Sequence, residues 1–153
     1  MEDLSYEVIE DRAGMTAVLK EASHETVFGS FHDLLLSAIN SAIRWPSTFI
    51  VMAFDEGVLC GISSGQFVSE TEALGWWTIR AEGEKYRGLG QELFLRRNMF
   101  SYSRGITVLY STANSPEGRK MIESGGGWLI PGHDDEYEHM LISLVGGGVK
   151  VNT

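Results

Sequence analysis

The chain has 153 residues, 43% of them hydrophobic, and a formal net charge of -9 at pH 7. This length and apolar content suit one domain with its own core over residues 1–145, followed by a Gly-rich, flexible tail at 146–153. The negative charge argues against broad nucleic-acid binding, because affinity for a polyphosphate backbone rests on Lys and Arg, and it suits a cationic partner better. No apolar run approaches the roughly 18 to 20 residues that span a bilayer, and "MEDLSYEVIEDR" is acidic where a signal peptide is basic and then apolar. A cytoplasmic protein with no membrane partner is expected. Cys60 is the single cysteine, so no internal disulfide forms, and in "VLCGI" it reads as a buried packing residue. His24, His32, His133 and His139 show no spacing that sets several ligands on one helix face, and no metal is expected.

In chain order, "LSYEVIEDR" alternates Leu4, Tyr6 and Val8 on one side, a short strand. Helical spacing runs from Ala13 to about Glu21, and "FHDLLLSAINSAIR" is a second helix with Leu35, Ala38, Ile39 and Ala42 on its apolar face. "WPS" stops that helix, because a residue before proline is pushed out of the helical region. "HETVFGS", between the two helices, is a loop. "TFIVMAF" and "VLCGISSGQFV" are strands joined by "DEG" as a hairpin, and "ALGWWTIRA" is a fourth strand. The adjacent Trp76 and Trp77 must point to opposite faces of it. A third helix spans Leu89 to about Arg104, with Leu89, Leu93 and Phe100 on one face and Arg96 sharing that face through its long stem. Gly105 ends it. "ITVLYST" is a fifth strand, and "SPEGRKMIES" a helix with Ser115 as N-cap and Pro116 at its first position. "GGGWLIP" and "YEHMLISL" are the last two strands. The order β-α-α-β-β-β-α-β-α-β-β predicts an α/β domain on a mixed, mostly antiparallel sheet of about seven strands with about four helices.

"KYRGLGQELF", residues 85–94, sets two glycines one residue apart behind two cations and ahead of a helix. A dinucleotide-binding turn wants a third glycine where Leu93 stands, and a Walker loop wants Gly-Lys-Ser/Thr where the chain has Gly-Gln-Glu. What remains is strand, basic glycine turn, helix. The amides from Arg87 to Gln91 are expected to converge at the positive end of a helix dipole, a site for an anion. A turn with no ligand is the alternative.

With "KYRGLG" in this place, the chain resembles the GNAT superfamily of acetyl-CoA-dependent N-acetyltransferases, whose signature is Arg or Gln, two residues, Gly, one residue, then Gly or Ala. Lys85 takes the first position, Gly88 and Gly90 the small ones, and Leu93 and Phe94 the apolar pair of the helix. A register starting at Arg87 would instead set Glu92 beside a pyrophosphate. "DEGVLCG" is similar to the family's hairpin between strands two and three, and "YSTANSPEGRKMIESGGGW" to its fifth strand, fourth helix and glycine turn. The element order matches along nearly the whole chain, while a sequence motif is carried only by residues 85–105. Two departures stand out: Lys85 replaces the usual Arg or Gln, and Met121 or Ile122 replaces the tyrosine that many members carry in the fourth helix.

The resemblance implies an acetyl-CoA site in which Lys85, Tyr86, Arg87, Gly88, Leu89, Gly90 and Gln91 hold the pyrophosphate. It implies a pantetheine arm along Ile79, Arg80 and Ala81, with Asn114 as a further hydrogen-bond partner. Glu82 is the first candidate for the base that deprotonates the amine and Glu84 the second; both also read as solvent-facing charges. Tyr110 and Ser115 are candidates for the acid. The acceptor would lie between "HETVFGS", with Phe28, and "PGHDDEYEH", whose Asp134, Asp135, Glu136 and Glu138 suit a cation, with Trp77 as a wall. The partner is then a small-molecule or protein amine, and a homodimer is compatible with the sequence. A module that binds CoA or a basic protein without turnover is the alternative, and an acidic interaction protein without a cofactor is the third reading.

Overall fold

Asp11 opens the first helix by accepting a hydrogen bond from the Gly14 N–H at 2.8 Å, which satisfies one of the helix's unpaired first-turn donors. The structure, a computed structural model, describes residues 3–113, 116–124, 127–130 and 138–144. Its elements in order are β1 (Leu4–Ile9), α1 (Arg12–Ala22), α2 (His32–Arg44), β2 (Thr48–Asp55), β3 (Val58–Phe67), β4 (Glu72–Arg80), α3 (Leu89–Ser103), β5 (Val108–Ala113), α4 (Pro116–Ser124), β6 (Gly127–Ile130) and β7 (Glu138–Ser143). Short 3-10 turns at Gly29–Phe31 and Glu84–Tyr86 precede α2 and α3. Strand order is β1-β2-β3-β4-β5-β7-β6; β4 and β5 run parallel, whereas β1/β2, β2/β3, β5/β7 and β6/β7 are antiparallel. The mixed, mostly antiparallel α/β sheet is therefore as the sequence predicts.

By compactness the chain divides into Met1–Gln66 with Trp77–Arg97, and Phe67–Trp76 with Asn98–Thr153. In the first unit α2 buries Leu35, Ala38, Ile39 and Ala42 almost completely, in the core that also takes Ile50, Met52 and Ile62 of β2 and β3. Burial of Leu35 and Ile39 alone stabilises this unit by about 3–6 kcal/mol before entropy is counted. Trp45 ends α2 in an extended conformation (φ -94°, ψ 148°), the state that Pro46 imposes on its neighbour. The β2–β3 turn has Glu56 at φ 51° and Gly57 at φ 83°, both left-handed, as a two-residue hairpin loop of the I′ kind requires. α3 packs on β3 where Gly61 leaves room: a Cβ there would stand 2.5 Å from Leu93 Cδ1 and 3.2 Å from Leu89 Cδ2.

Two expectations change in this unit. Val8 stays 42% exposed instead of sharing the buried side of β1. The buried stripe of α3 is Leu89, Leu93, Phe94 and Arg97, continued by Asn98 and Ser101, while Arg96 lies outside it, its guanidinium 3.6 Å over the Tyr6 ring and its Nε 2.9 Å from Glu92 Oε1. Arg97 is wholly buried, which lowers its pKa to about 10, and it packs on the Phe94 ring.

In the second unit β4 pairs with β5 from Glu72↔Val108 to Gly75↔Ser111, and β5 pairs with β7 from Val108↔Ser143 to Ala113↔Glu138. Ala73, Ile106, Leu109, Ile122, Ile142 and Leu144 are among its buried apolar side chains, and Thr107 N–H donates to the Thr71 carbonyl at 2.8 Å. Among the described residues no helix is long and apolar enough to cross a membrane, and no group of three or more His, Cys, Asp or Glu comes together to hold a metal ion.

Candidate functional site

The end of β4 sets the geometry of the segment that follows. Ala81 N–H donates to the Cys60 carbonyl of β3 at 2.7 Å, and the Ile79 carbonyl also lies toward β3, near Gly61. Successive residues of a strand alternate their backbone groups between its two edges, so the groups turned away from β3 here belong to Thr78 and Arg80. Of the three residues expected to pair with an extended ligand, Arg80 alone has its backbone on that edge. Its side chain does other work: Nη1 donates to the carbonyls of Ala81 at 2.9 Å and Gly83 at 3.0 Å, closing the turn that leaves the strand.

Beyond Gly83 (φ 110°) the chain makes one 3-10 turn, in which Tyr86 N–H donates to the Gly83 carbonyl at 3.2 Å and Arg87 N–H to the Glu84 carbonyl at 3.1 Å. The Arg87 amide is therefore spent, contrary to its expected place in the anion cradle. Gly88 follows at φ 87°, a left-handed conformation that other residues rarely adopt. The first turn of α3 then begins, and Glu92 N–H makes its hydrogen bond to the Gly88 carbonyl at 3.2 Å. The amides of Leu89, Gly90 and Gln91 precede that bond and have no carbonyl four residues back within the helix. Around Gly88 and Gly90 the described residues leave open space: a Cβ added to either meets none of their atoms within 4 Å. Leu89 itself is buried, so it offers its backbone and not its side chain.

The two cations of the loop already have acidic partners. Lys85 Nζ lies 2.7 Å from Asp55 Oδ2 at the end of β2, and Tyr86 Oη donates to the same oxygen at 2.8 Å. Hydrogen bonds from Lys85 and then Tyr86 hold the Asp55 carboxyl below the usual carboxylate range, and the bond to Asp55 raises Lys85. Burial, followed by the bond to Asp55, raises Tyr86. Arg87 pairs with Glu84 at 3.0 Å, with both side chains about four-fifths exposed. Exposed pairs of this kind contribute little and exchange readily for another anion. The sequence names both cations, but it does not show that Asp55, which reads as a turn residue in "DEG", ties the glycine loop to the hairpin.

Glu82 sits on the other side of the turn. Its N–H donates to the Val27 carbonyl at 3.2 Å, and its carboxylate accepts from Ser30 Oγ at 2.8 Å and from Ser30 N–H at 3.4 Å. The end of β4 is thus joined to the loop between α1 and α2, a contact that nothing local in either segment announces. Phe28 of that loop, expected to face an acceptor, is instead wholly buried in the core, where its ring anchors the loop. Trp77 is half-buried against the same core. Cys60 is buried, as expected of a packing residue, and burial pushes its thiol up to about 11.

In the second unit Tyr110 Oη donates to Glu72 at 2.8 Å, and that bond raises its pKa above the ordinary tyrosine value. Ile122 of α4 is buried and Met121 half-buried; the resemblance set a tyrosine at one or the other of these two positions. Asn114, Ser115, Asp134, Asp135 and Glu136 lie outside the described residues, as does the 146–153 tail.

No protein-family model matches the chain, and no curated protein matches it in sequence. Solved structures match it in fold. An aminoglycoside 6′-acetyltransferase type Ii superposes with a TM-score of 0.68 at 15% identity, covering 92% of this chain and 98% of that one. The PaiA N-acetyltransferase of Thermoplasma acidophilum, solved with coenzyme A, gives 0.62 at 13% identity over 91% and 99%. The spermidine N-acetyltransferase of Vibrio cholerae, solved with CoA and spermine, gives 0.62 at 15% identity over 94% and 96%. With this strand order, and with a glycine turn opening α3, the chain has the fold of the GNAT superfamily of acetyltransferases.

Proposed function

We propose that the chain is an acetyl-CoA-dependent N-acetyltransferase that passes an acetyl group to a primary amine by direct attack in a ternary complex. Gly90 is the observation that carries this reading. Glycine within a helix costs about 1 kcal/mol relative to alanine. Gly90 lies in the first turn of α3 without a positive φ, and among the described residues no atom crowds the place of its missing Cβ, so none of them requires glycine there. A phosphate approaching the amides of Leu89, Gly90 and Gln91 does require it. Gly88 differs, because its φ of 87° gives it a reason of its own.

In this reading the first-turn amides of α3 hold the pyrophosphate, Lys85 and Arg87 exchange their carboxylate partners for it, and the edge of β4 at Thr78 and Arg80 takes the pantetheine arm as an added strand. Glu82 accepts one proton from the acceptor's ammonium. The freed nitrogen lone pair forms the C–N bond to the thioester carbon, whose oxygen becomes an oxyanion held by the Arg80 amide. Collapse then breaks the C–S bond. The thiolate leaves with the electron pair and takes up the remaining surplus proton of the nitrogen through solvent, while Glu82 returns its own proton to water. A thiol of pKa about 8.5 leaves without strong acid help, which fits both the side chains at 121 and 122 and the engagement of Tyr110 by Glu72. Tyr110 and Ser115 thus assist at most modestly.

A cationic amine is the acceptor class this reading favours. The net charge of -9 suits it, two relatives in fold are named for spermidine and aminoglycoside acetylation, and Asp134, Asp135 and Glu136 would draw such a cation in. The second reading, a module that binds CoA without turnover, is favoured by one observation, the missing tyrosine of α4.

Gly90→Ala separates a ligand-driven glycine from an incidental one. Without ligand the variant should be more stable by about 0.5–1 kcal/mol, a rise in Tm of about 1–4 °C. Acetyl-CoA should bind it about tenfold more weakly, roughly 1.4 kcal/mol, less than one charge-assisted hydrogen bond is worth. Thermal melts with and without acetyl-CoA read both quantities. Equal affinity in the two proteins removes Gly90 as support.

A further inference from the structure

We propose that Ser30 is a positioning residue for Glu82, holding the carboxylate in the orientation from which it takes the amine proton; this rests on Glu82 being the base. Ser30 and Glu82 are 52 positions apart in sequence, yet Ser30 reaches both carboxylate oxygens, Oγ to Oε1 at 2.8 Å and N–H to Oε2 at 3.4 Å. An exposed glutamate otherwise samples many rotamers, and ordering it carries an entropic cost at every turnover. Here that cost is met by the fold. Each carboxylate oxygen has two acceptor sites, so one on each remains for the proton after Ser30 has taken the other.

The neighbours of Ser30 are arranged around the same carboxylate. Val27 accepts the Glu82 N–H at 3.2 Å. Phe28 is buried without exposure and fixes the loop to the core. Gly29 stands at φ 54°, and a Cβ on it would collide with Glu82 Oε2. Four consecutive residues therefore form one pedestal: an anchor at Phe28, a backbone tie at Val27, room at Gly29 and the two hydrogen bonds at Ser30. The φ of Gly29 favours glycine by itself, so the two hydrogen bonds from Ser30 to the two carboxylate oxygens carry the positioning role.

The test is steady-state kinetics of the whole chain with acetyl-CoA and the best acceptor from a panel of amines that includes spermine. Ser30 is exposed, and an unchanged circular dichroism spectrum with a Tm within a few degrees of wild type checks that alanine there keeps the fold. Ser30→Ala should lower kcat roughly ten- to a hundredfold, the scale of a misplaced reacting group, with acetyl-CoA Kd unchanged, and Ser30→Thr, which restores the hydroxyl, should recover most of the loss. Ser23→Ala, which removes a hydroxyl that donates to the Lys20 carbonyl at the start of the same loop, should leave kcat as it is. In a Glu82→Gln background, Ser30→Ala should cost nothing more. An undiminished kcat in Ser30→Ala, or an equal further loss in the Glu82→Gln background, overturns the positioning role while the base assignment stands. If Glu82→Gln alone leaves kcat intact, the base assignment falls and the role of Ser30 falls with it.

Discussion

Glu82→Gln is expected to lower kcat by about a hundredfold or more at neutral pH, within the range of general-base catalysis, and to leave acetyl-CoA affinity unchanged. Such a loss corresponds to about 2.7 kcal/mol of transition-state stabilisation. The substitution keeps the shape of the side chain, and its amide oxygen still accepts from the Ser30 hydroxyl, so the tie between β4 and the α1–α2 loop persists. What disappears is the acceptor for the ammonium proton. Tyr110→Phe should cost less. Its hydroxyl already donates to Glu72, and the resulting rise in pKa makes it a weaker acid than a free tyrosine. A larger loss in Tyr110→Phe than in Glu82→Gln would transfer the main proton step to Tyr110.

Gly90→Asp is expected to abolish the stabilisation that acetyl-CoA gives the wild-type protein. A ligand at a hundred times its Kd stabilises the native state by about 2.7 kcal/mol, several degrees of Tm for a chain of this size. Aspartate at 90 would fill the open space at the helix start and set a negative charge where phosphate is expected. Without ligand the same charge lies at the positive end of the α3 dipole, where a carboxylate is favoured by about 0.3–1 kcal/mol. The variant should therefore melt no lower than wild type and yet fail to respond to acetyl-CoA. That combination separates a lost site from a lost fold. A ligand shift equal to that of wild type would place the phosphate elsewhere.

The order of elements is legible in the sequence because each is locally signalled: the 3.6-residue stripe of α2, the proline after Trp45, the "DEG" turn and the glycines before α3. The glycine loop is legible for the same reason, since strand, turn and helix are contiguous. What escapes local reading is what a distant segment supplies. Asp55 and Lys85 are 30 positions apart, and nothing beside either announces the other. Ser30 and Glu82 meet through the fold alone. Phe28 reads as a loop residue beside Gly29, but the loop's need for an anchor takes its ring into the core. In α3 the buried stripe continues through Arg97, Asn98 and Ser101, polar residues that a hydrophobic pattern assigns to solvent, and the exposed Arg96 instead finds the Tyr6 ring.

Free-thiol release reports acetyl transfer to an amine on this glycine loop. Wild-type protein with acetyl-CoA and a panel of primary amines, polyamines and aminoglycosides included, should release thiol at a rate that saturates with at least one amine and is lost together with acetyl-CoA binding in Gly90→Asp. A protein that acetyl-CoA stabilises against heat, but that releases no thiol above background with any amine of the panel, would contradict acetyl transfer and establish the binding module in its place.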